Sequence, residues 1–154
     1  MKNLILLFTL SVSLCYSQSQ SSNREIPPDI KVITNHTTSI LGKKISYSAQ
    51  AGTQPVWNSR GNVIAALYYT YYKRTDLEDD SNRPIAFSFN GGPGSASIWM
   101  HLGYTGPYSL IIDDEGYPIQ PYGYKSNPYS ILDVADIVFV NPVNVGFSRI
   151  LKEM

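Results

Sequence analysis

The chain has 154 residues, 43% of them hydrophobic and 16% charged, which describes at most one globular domain and excludes an intrinsically disordered chain. Twelve basic and twelve acidic residues cancel without forming a basic cluster, so no nucleic-acid partner is expected. One cysteine and two widely separated histidines leave no ligand set for a metal, and neither a metal nor a cofactor is expected.

Residues 1–17 read as an export signal: Lys2 supplies the positive start, "LILLFTLSVSL" the apolar core and "CYS" the cleavage site before Gln18. The apolar run is too short to span a membrane, and the Gln/Ser-rich stretch after it opens a solvated linker over residues 18–29. Leu14 ahead of Cys15 disfavours a lipid anchor, and cleavage after Ser17 would leave a chain without cysteine. The expected location is periplasmic or extracellular.

Two strand-like runs follow, Ile30–Ile40 and Lys44–Ala51, joined by "LGK" as a hairpin with Gly42 at the turn. "TQPVWNSRGN" is predicted to be a loop broken by Pro55 and Gly61. Val63–Lys73, containing "YYTYY", is predicted to be a long strand that buries one ring-bearing face and wets the other. "RTDLEDDSNR" is an acidic surface connection; it lacks the glycine and closing glutamate of a calcium loop. "PIAFSF" (Pro84–Phe89) and "DIVFV" (Asp136–Val140) are almost continuously apolar, the pattern of parallel strands covered on both faces. The sequence between them suffices for a crossover, with a short helix over Ser95–Gly103 and a further turn within Tyr129–Asp136. The fold class is therefore α/β, an antiparallel hairpin or meander leading into parallel strands.

"NGGPG" lies where the first of these apolar strands should end. Gly91, Gly92 and Gly94 carry no Cβ, so a ligand can approach the main chain and positive φ is accessible. Asn90 adds an amide donor, and Pro93 fixes the turn while donating nothing. Backbone N–H groups converging at such a strand end suit an anion, either a substrate carboxylate or the oxyanion of an acyl-transfer intermediate. No phosphate-binding glycine pattern is present. The five letters taken alone fit a tight turn equally well.

The surrounding sequence resembles the serine carboxypeptidase family of α/β-hydrolases. The resemblance rests on Asn90–Gly94, "GPY" at Gly106–Tyr108, and "NPYSILDVADIVFVNPVNVGFSR" at Asn127–Arg149, and it runs from about Ile30 to Arg149. "YSAQAGTQP" and "NRPIAFSF" look closest to bacterial-type members. It implies a serine-type carboxypeptidase acting through an acyl-enzyme on peptides with a free C-terminus. By the same resemblance Asn90, through its side-chain amide, and Gly91, through its N–H, hold the substrate carboxylate. Gly92 donates one N–H of the oxyanion hole, and the second donor follows the nucleophile.

Departures from the family pattern stand out. Ser95 occupies the place of a cysteine that many members pair with a distant one. Tyr104 stands where several members carry a glutamate, Asn141 where an aspartate is usual, and Asn144 where a glycine is usual. The glutamate in those members pairs with a second acid that binds the substrate carboxylate in its protonated form, so acid dependence is less secure here. No G-x-S-x-G elbow occurs, and Ser95 and Ser148 are weak candidates for a nucleophile. His36 is expected on the surface and His101 in a packing or helix-end role, both ahead of any elbow, so no triad assembles. The expectation is the N-terminal part of a longer domain, beginning near residue 30, incomplete to residue 154 and inactive alone. Two other readings stay open: a prolyl aminopeptidase-like hydrolase, which carries H-G-G-P-G in place of N-G-G-P-G, and a non-catalytic secreted β-rich binding module.

Overall fold

In the computed structural model, residues 27–92 and 94–151 are described; the expected export signal and the expected linker up to residue 26 lie outside them. Strands β1 (Lys31–Ile40) and β2 (Lys43–Trp57) form the expected hairpin. Its two-residue turn places Leu41 at φ 47° and Gly42 at φ 78°, the left-handed pair that matches the twist of the flanking strands.

The predicted loop at Thr53–Asn62 is a correction, because β2 runs on through Pro55 to Trp57. The Thr53 N–H donates to the Ile30 carbonyl at 2.8 Å, so two residues later the Pro55 nitrogen faces the same side, beyond the end of β1. A residue without a donor costs the sheet nothing there. Only residues 58–62 form the connection, closed by the Asn58 carboxamide, which accepts N–H bonds from Arg60 and Asn62.

Strand β3 (Val63–Arg74) pairs antiparallel with β2 on one side and with β7 (Asp136–Val140) on the other. Strand β4 (Ile85–Ser88) pairs parallel with β7, giving the order β1-β2-β3-β7-β4. The crossover between β4 and β7 carries a helical segment that ends as a π-helix at Met100–Thr105. It also carries a small second sheet of β5 (Tyr108–Leu110) and β6 (Tyr124–Ser126), and a 3₁₀ turn at Ile131–Asp133. Asn127 Nδ2 donates to the Tyr104 and Gly106 carbonyls at 2.8 and 2.9 Å, and Ser130 Oγ donates to the Thr105 carbonyl at 2.9 Å. These bonds satisfy the carbonyls left open where the helix ends.

The core lies on one face of the sheet, where Ile40, Ile45, Tyr47, Ile137 and Phe139 meet Leu132, Ile131 and Met100 from the crossover. On β3, Tyr72 turns to this face, and its ring packs against Tyr47, Phe139 and His101. Tyr69 and Tyr71 turn the other way, beside Leu67, Val138, Val140 and Phe87. The expectation that β3 wets one face is therefore corrected: both faces are apolar and half-buried.

The parallel pairing of β4 and β7 is as the sequence predicts, but their cover is not. Ile85 and Phe87 are 52% and 67% exposed, because the described helical residues pack on the opposite face, against Ile137 and Phe139. No helix among the described residues is long and apolar enough to cross a membrane.

Candidate active site

The glycine-rich segment leaves the C-terminal end of β4. Asn90 is half-buried, and its side-chain Oδ1 accepts the Met100 N–H at 3.3 Å, tying the loop's start to the helical segment that follows. With the carbonyl end so engaged, the Nδ2 end retains its donors. Gly91 and Gly92 are exposed, and a Cβ at either would meet nothing within 4 Å. Gly92 at φ 79° and Gly94 at φ 84° occupy the left-handed region, which glycine adopts with the least strain.

The far side of the loop is anchored to the end of β7. Ser97 N–H donates to Asn141 Oδ1 at 3.0 Å, and Ser97 Oγ donates to the Val140 carbonyl. Beyond Val140 the chain loops out and returns as β8 (Arg149–Ile150), which pairs with β3 just above β7. The neck of this excursion is closed by three bonds. Asn141 N–H donates to the Tyr68 carbonyl at 3.0 Å, Tyr68 N–H donates to Ser148 Oγ at 2.8 Å, and Ser148 Oγ donates to the Asn141 carbonyl at 2.7 Å. At its tip Asn144 adopts φ 64°, a conformation asparagine tolerates better than most residues. That accounts physically for Asn144 standing where the resemblance leads one to expect glycine.

These contacts decide the weak candidates. Ser148 is fully buried with its hydroxyl committed at the neck, which is no place for a nucleophile. Ser95 Oγ reaches only the neighbouring Ala96 carbonyl, at 3.5 Å. His36 lies on the exposed strand β1, hydrogen-bonded to Thr34 Oγ1 at 2.7 Å and stacked on Tyr47. His101 stacks on Phe139 with ring centroids 4.5 Å apart and shares a 2.6 Å hydrogen bond with the Tyr72 hydroxyl. Burial pushes its pKa down to about 4, and burial likewise pushes Tyr72 up to about 12. The packing role expected of His101 is the one observed. Among the described residues no serine hydroxyl is hydrogen-bonded to a histidine. Tyr104 points its ring into solvent, at 66% exposure.

The sequence pattern that defines the serine carboxypeptidases matches residues 43–153. The chain belongs to the serine carboxypeptidase family. Among its relatives, serine carboxypeptidase-like 31 of Arabidopsis thaliana is 29% identical over 153 residues, covering 93% of this chain and 27% of that one. The putative serine carboxypeptidase-like 30 of the same plant is 30% identical over 109 residues, 68% of this chain and 19% of the relative. In three dimensions the chain is similar to a prohormone-processing carboxypeptidase from Saccharomyces cerevisiae, with a TM-score of 0.51 and 22% identity over 66% of this chain and 20% of that one. The mixed sheet is thus part of the α/β-hydrolase architecture of serine carboxypeptidases. The chain spans about a fifth to a quarter of the length of the serine carboxypeptidases just compared. These relatives are plant and yeast proteins, so they lend no support to a bacterial-type affinity for the two upstream stretches. Family membership also decides for serine carboxypeptidase over the prolyl aminopeptidase-like reading.

Sequence reasoning missed the tether at Asn141 and the clamp at Ser148. It also missed the buried Arg83–Asp136 ion pair at the opposite end of the strands, beside the half-buried Arg74–Asp133 pair. The signal was present in part: Arg83 and Asp136 are charges bordering two apolar strands, and charges so placed are seldom buried unpaired.

Proposed function

We propose that this chain supplies the carboxylate-recognition loop and one oxyanion donor of an exported serine-type carboxypeptidase. One observation carries the reading: Asn90 is held by its carbonyl end, beside two exposed glycines whose main chain a ligand can approach.

Asn90 Nδ2 and the Gly91 N–H donate to the C-terminal carboxylate of a peptide. Neutral dipolar donors suit that task, since they bind the anion without a mobile counter-charge beside the scissile bond. The Gly92 N–H donates to the carbonyl oxygen that becomes an oxyanion when a serine attacks. A donor fixed at that spot lowers the barrier because charge develops there only in the transition state. The serine, its base and the second donor are assigned to no residue of this chain, and the chain by itself is inactive. Export rests on the charged start, short apolar core and small-residue site over residues 1–17, which lie outside the described structure.

The test compares two peptides that differ only in a free or amidated C-terminus. The active protein should release single residues from the free acid and discriminate against the amide at least tenfold, the scale of one charge-assisted pair. Equal hydrolysis of both, or cleavage from the amino end, sinks the reading.

A further inference from the structure

The glycine-rich loop is suspended between two fixed points, and the second of them is a side chain with no assigned task. Asn141 is only 9% exposed. Its main chain is immobilised at the neck of the excursion by Tyr68 and Ser148. Its Oδ1 takes the Ser97 N–H at 3.0 Å, and the Ser97 hydroxyl binds the preceding carbonyl, Val140, so two bonds join the loop's end to the end of β7. On the other flank Gly146 presses against the same amide: a Cβ there would lie 2.4 Å from Asn141 Nδ2 and 3.2 Å from Ala96 Cβ.

Ser97 in turn opens the helical segment, its carbonyl accepting the His101 N–H at 2.9 Å, and Met100 in that segment holds Asn90. A continuous path of hydrogen bonds and one short helical segment therefore runs from β3 through Asn141 and Ser97 back to the first residue of the loop. Between Asn90 and Ser97 lie Gly92 and Gly94, whose backbone freedom would otherwise let the donors wander.

We propose that Asn141 is the positioning residue of the glycine-rich loop: through Ser97 and Met100 it sets where Asn90, Gly91 and Gly92 present their donors. Its catalytic consequence rests on the carboxypeptidase reading; its structural content does not. What Ser97 needs from position 141 is an acceptor oxygen of the right reach. Asn141→Asp keeps one, whereas Asn141→Leu keeps the volume and offers none.

In the active protein, N141L should raise KM for a peptide with a free C-terminus about tenfold or more, while KM for the amidated peptide moves less than about twofold. N141D should restore most of the loss. A rise in KM shared equally by both peptides, or no rescue by N141D, would make Asn141 an ordinary packing residue and overturn the proposal. Amide hydrogen exchange followed residue by residue in the unaltered protein supplies a second reading, independent of activity and of whether N141L folds. The Ser97 amide should exchange far more slowly than its neighbour Ala96, and equal rates at the two would also overturn the proposal. Should the protein prove indifferent to the C-terminal carboxylate, the recognition reading fails, and the exchange rates still decide the tether.

Discussion

Arg83 Nε donates to Asp136 Oδ1 at 2.7 Å, with the two side chains 8% and 5% exposed, so a residue two positions before β4 is ion-paired to the first residue of β7. Asp136 also accepts the Arg74 N–H at 3.0 Å and the Tyr71 hydroxyl at 3.1 Å, while the Arg83 guanidinium donates to the Leu132 carbonyl at 2.5 Å. Both carboxylate oxygens are thereby engaged. The pair stands at the N-terminal ends of two parallel strands whose C-terminal ends carry the glycine-rich loop and Asn141.

Removing one partner leaves the other charge buried and uncompensated. Arg83→Met should therefore destabilise the protein by about 3–5 kcal/mol, read as a lower midpoint in urea. The double variant Arg83→Met, Asp136→Asn should recover part of that loss, since the amide oxygen still accepts the Arg74 N–H and its NH2 group donates to the Tyr71 hydroxyl, without a buried charge. A single variant within about 0.5 kcal/mol of the parent would show that the pair is solvated in solution.

His101 makes stability depend on pH. Its pKa is pushed down from 6.5 to about 4 by burial, so between those values the unfolded chain binds more protons than the folded one. Stability then rises with pH across this window, is fully present above about 6.5, and is lost as pH falls toward about 4. The loss is at most about 3 kcal/mol, less the share that solvent at this half-buried ring screens. Denaturant midpoints at pH 7 and pH 4.5 should differ more in the parent than in His101→Gln. Equal slopes in the two proteins would remove His101 from the account.

The glycines divide into two kinds. Gly106 packs so closely that a Cβ would lie 2.1 Å from the His101 carbonyl, and Gly106→Ala should fail to fold or melt well below the parent. Gly91 has open space around it and no positive φ, so Gly91→Ala should melt within about 1 kcal/mol of the parent. The same methyl group stands where a carboxylate has to approach, and KM for the free-acid peptide should rise. Unchanged KM in a folded Gly91→Ala protein would remove Gly91 from the recognition loop.

Ser148→Ala separates a clamp from a nucleophile. It strips the Tyr68 N–H and the Asn141 carbonyl of their shared partner and should cost about 1–3 kcal/mol in unfolding free energy. Labelling of the active protein by a serine-directed fluorophosphonate should persist in the variant. Loss of labelling at unchanged stability would return Ser148 to candidacy as the attacking residue.

Much was legible in the sequence because it is encoded locally. The β1–β2 turn follows from Gly42, the strands from runs of β-branched and aromatic residues, and the parallel pairing of β4 with β7 from two short, unbroken apolar segments. The glycine-rich loop was legible too, since only glycine supplies positive φ cheaply. Tertiary structure decided what depends on partners distant in the chain. Whether Pro55 ends a strand depends on where β1 stops beside it. Whether the tyrosines of β3 meet water depends on what lies across each face. Asn141 and Ser97 are 44 residues apart, and Tyr68 and Ser148 are 80 apart. Composition and periodicity report the preferences of single segments; a hydrogen bond between such pairs exists only once the sheet has brought their strands together.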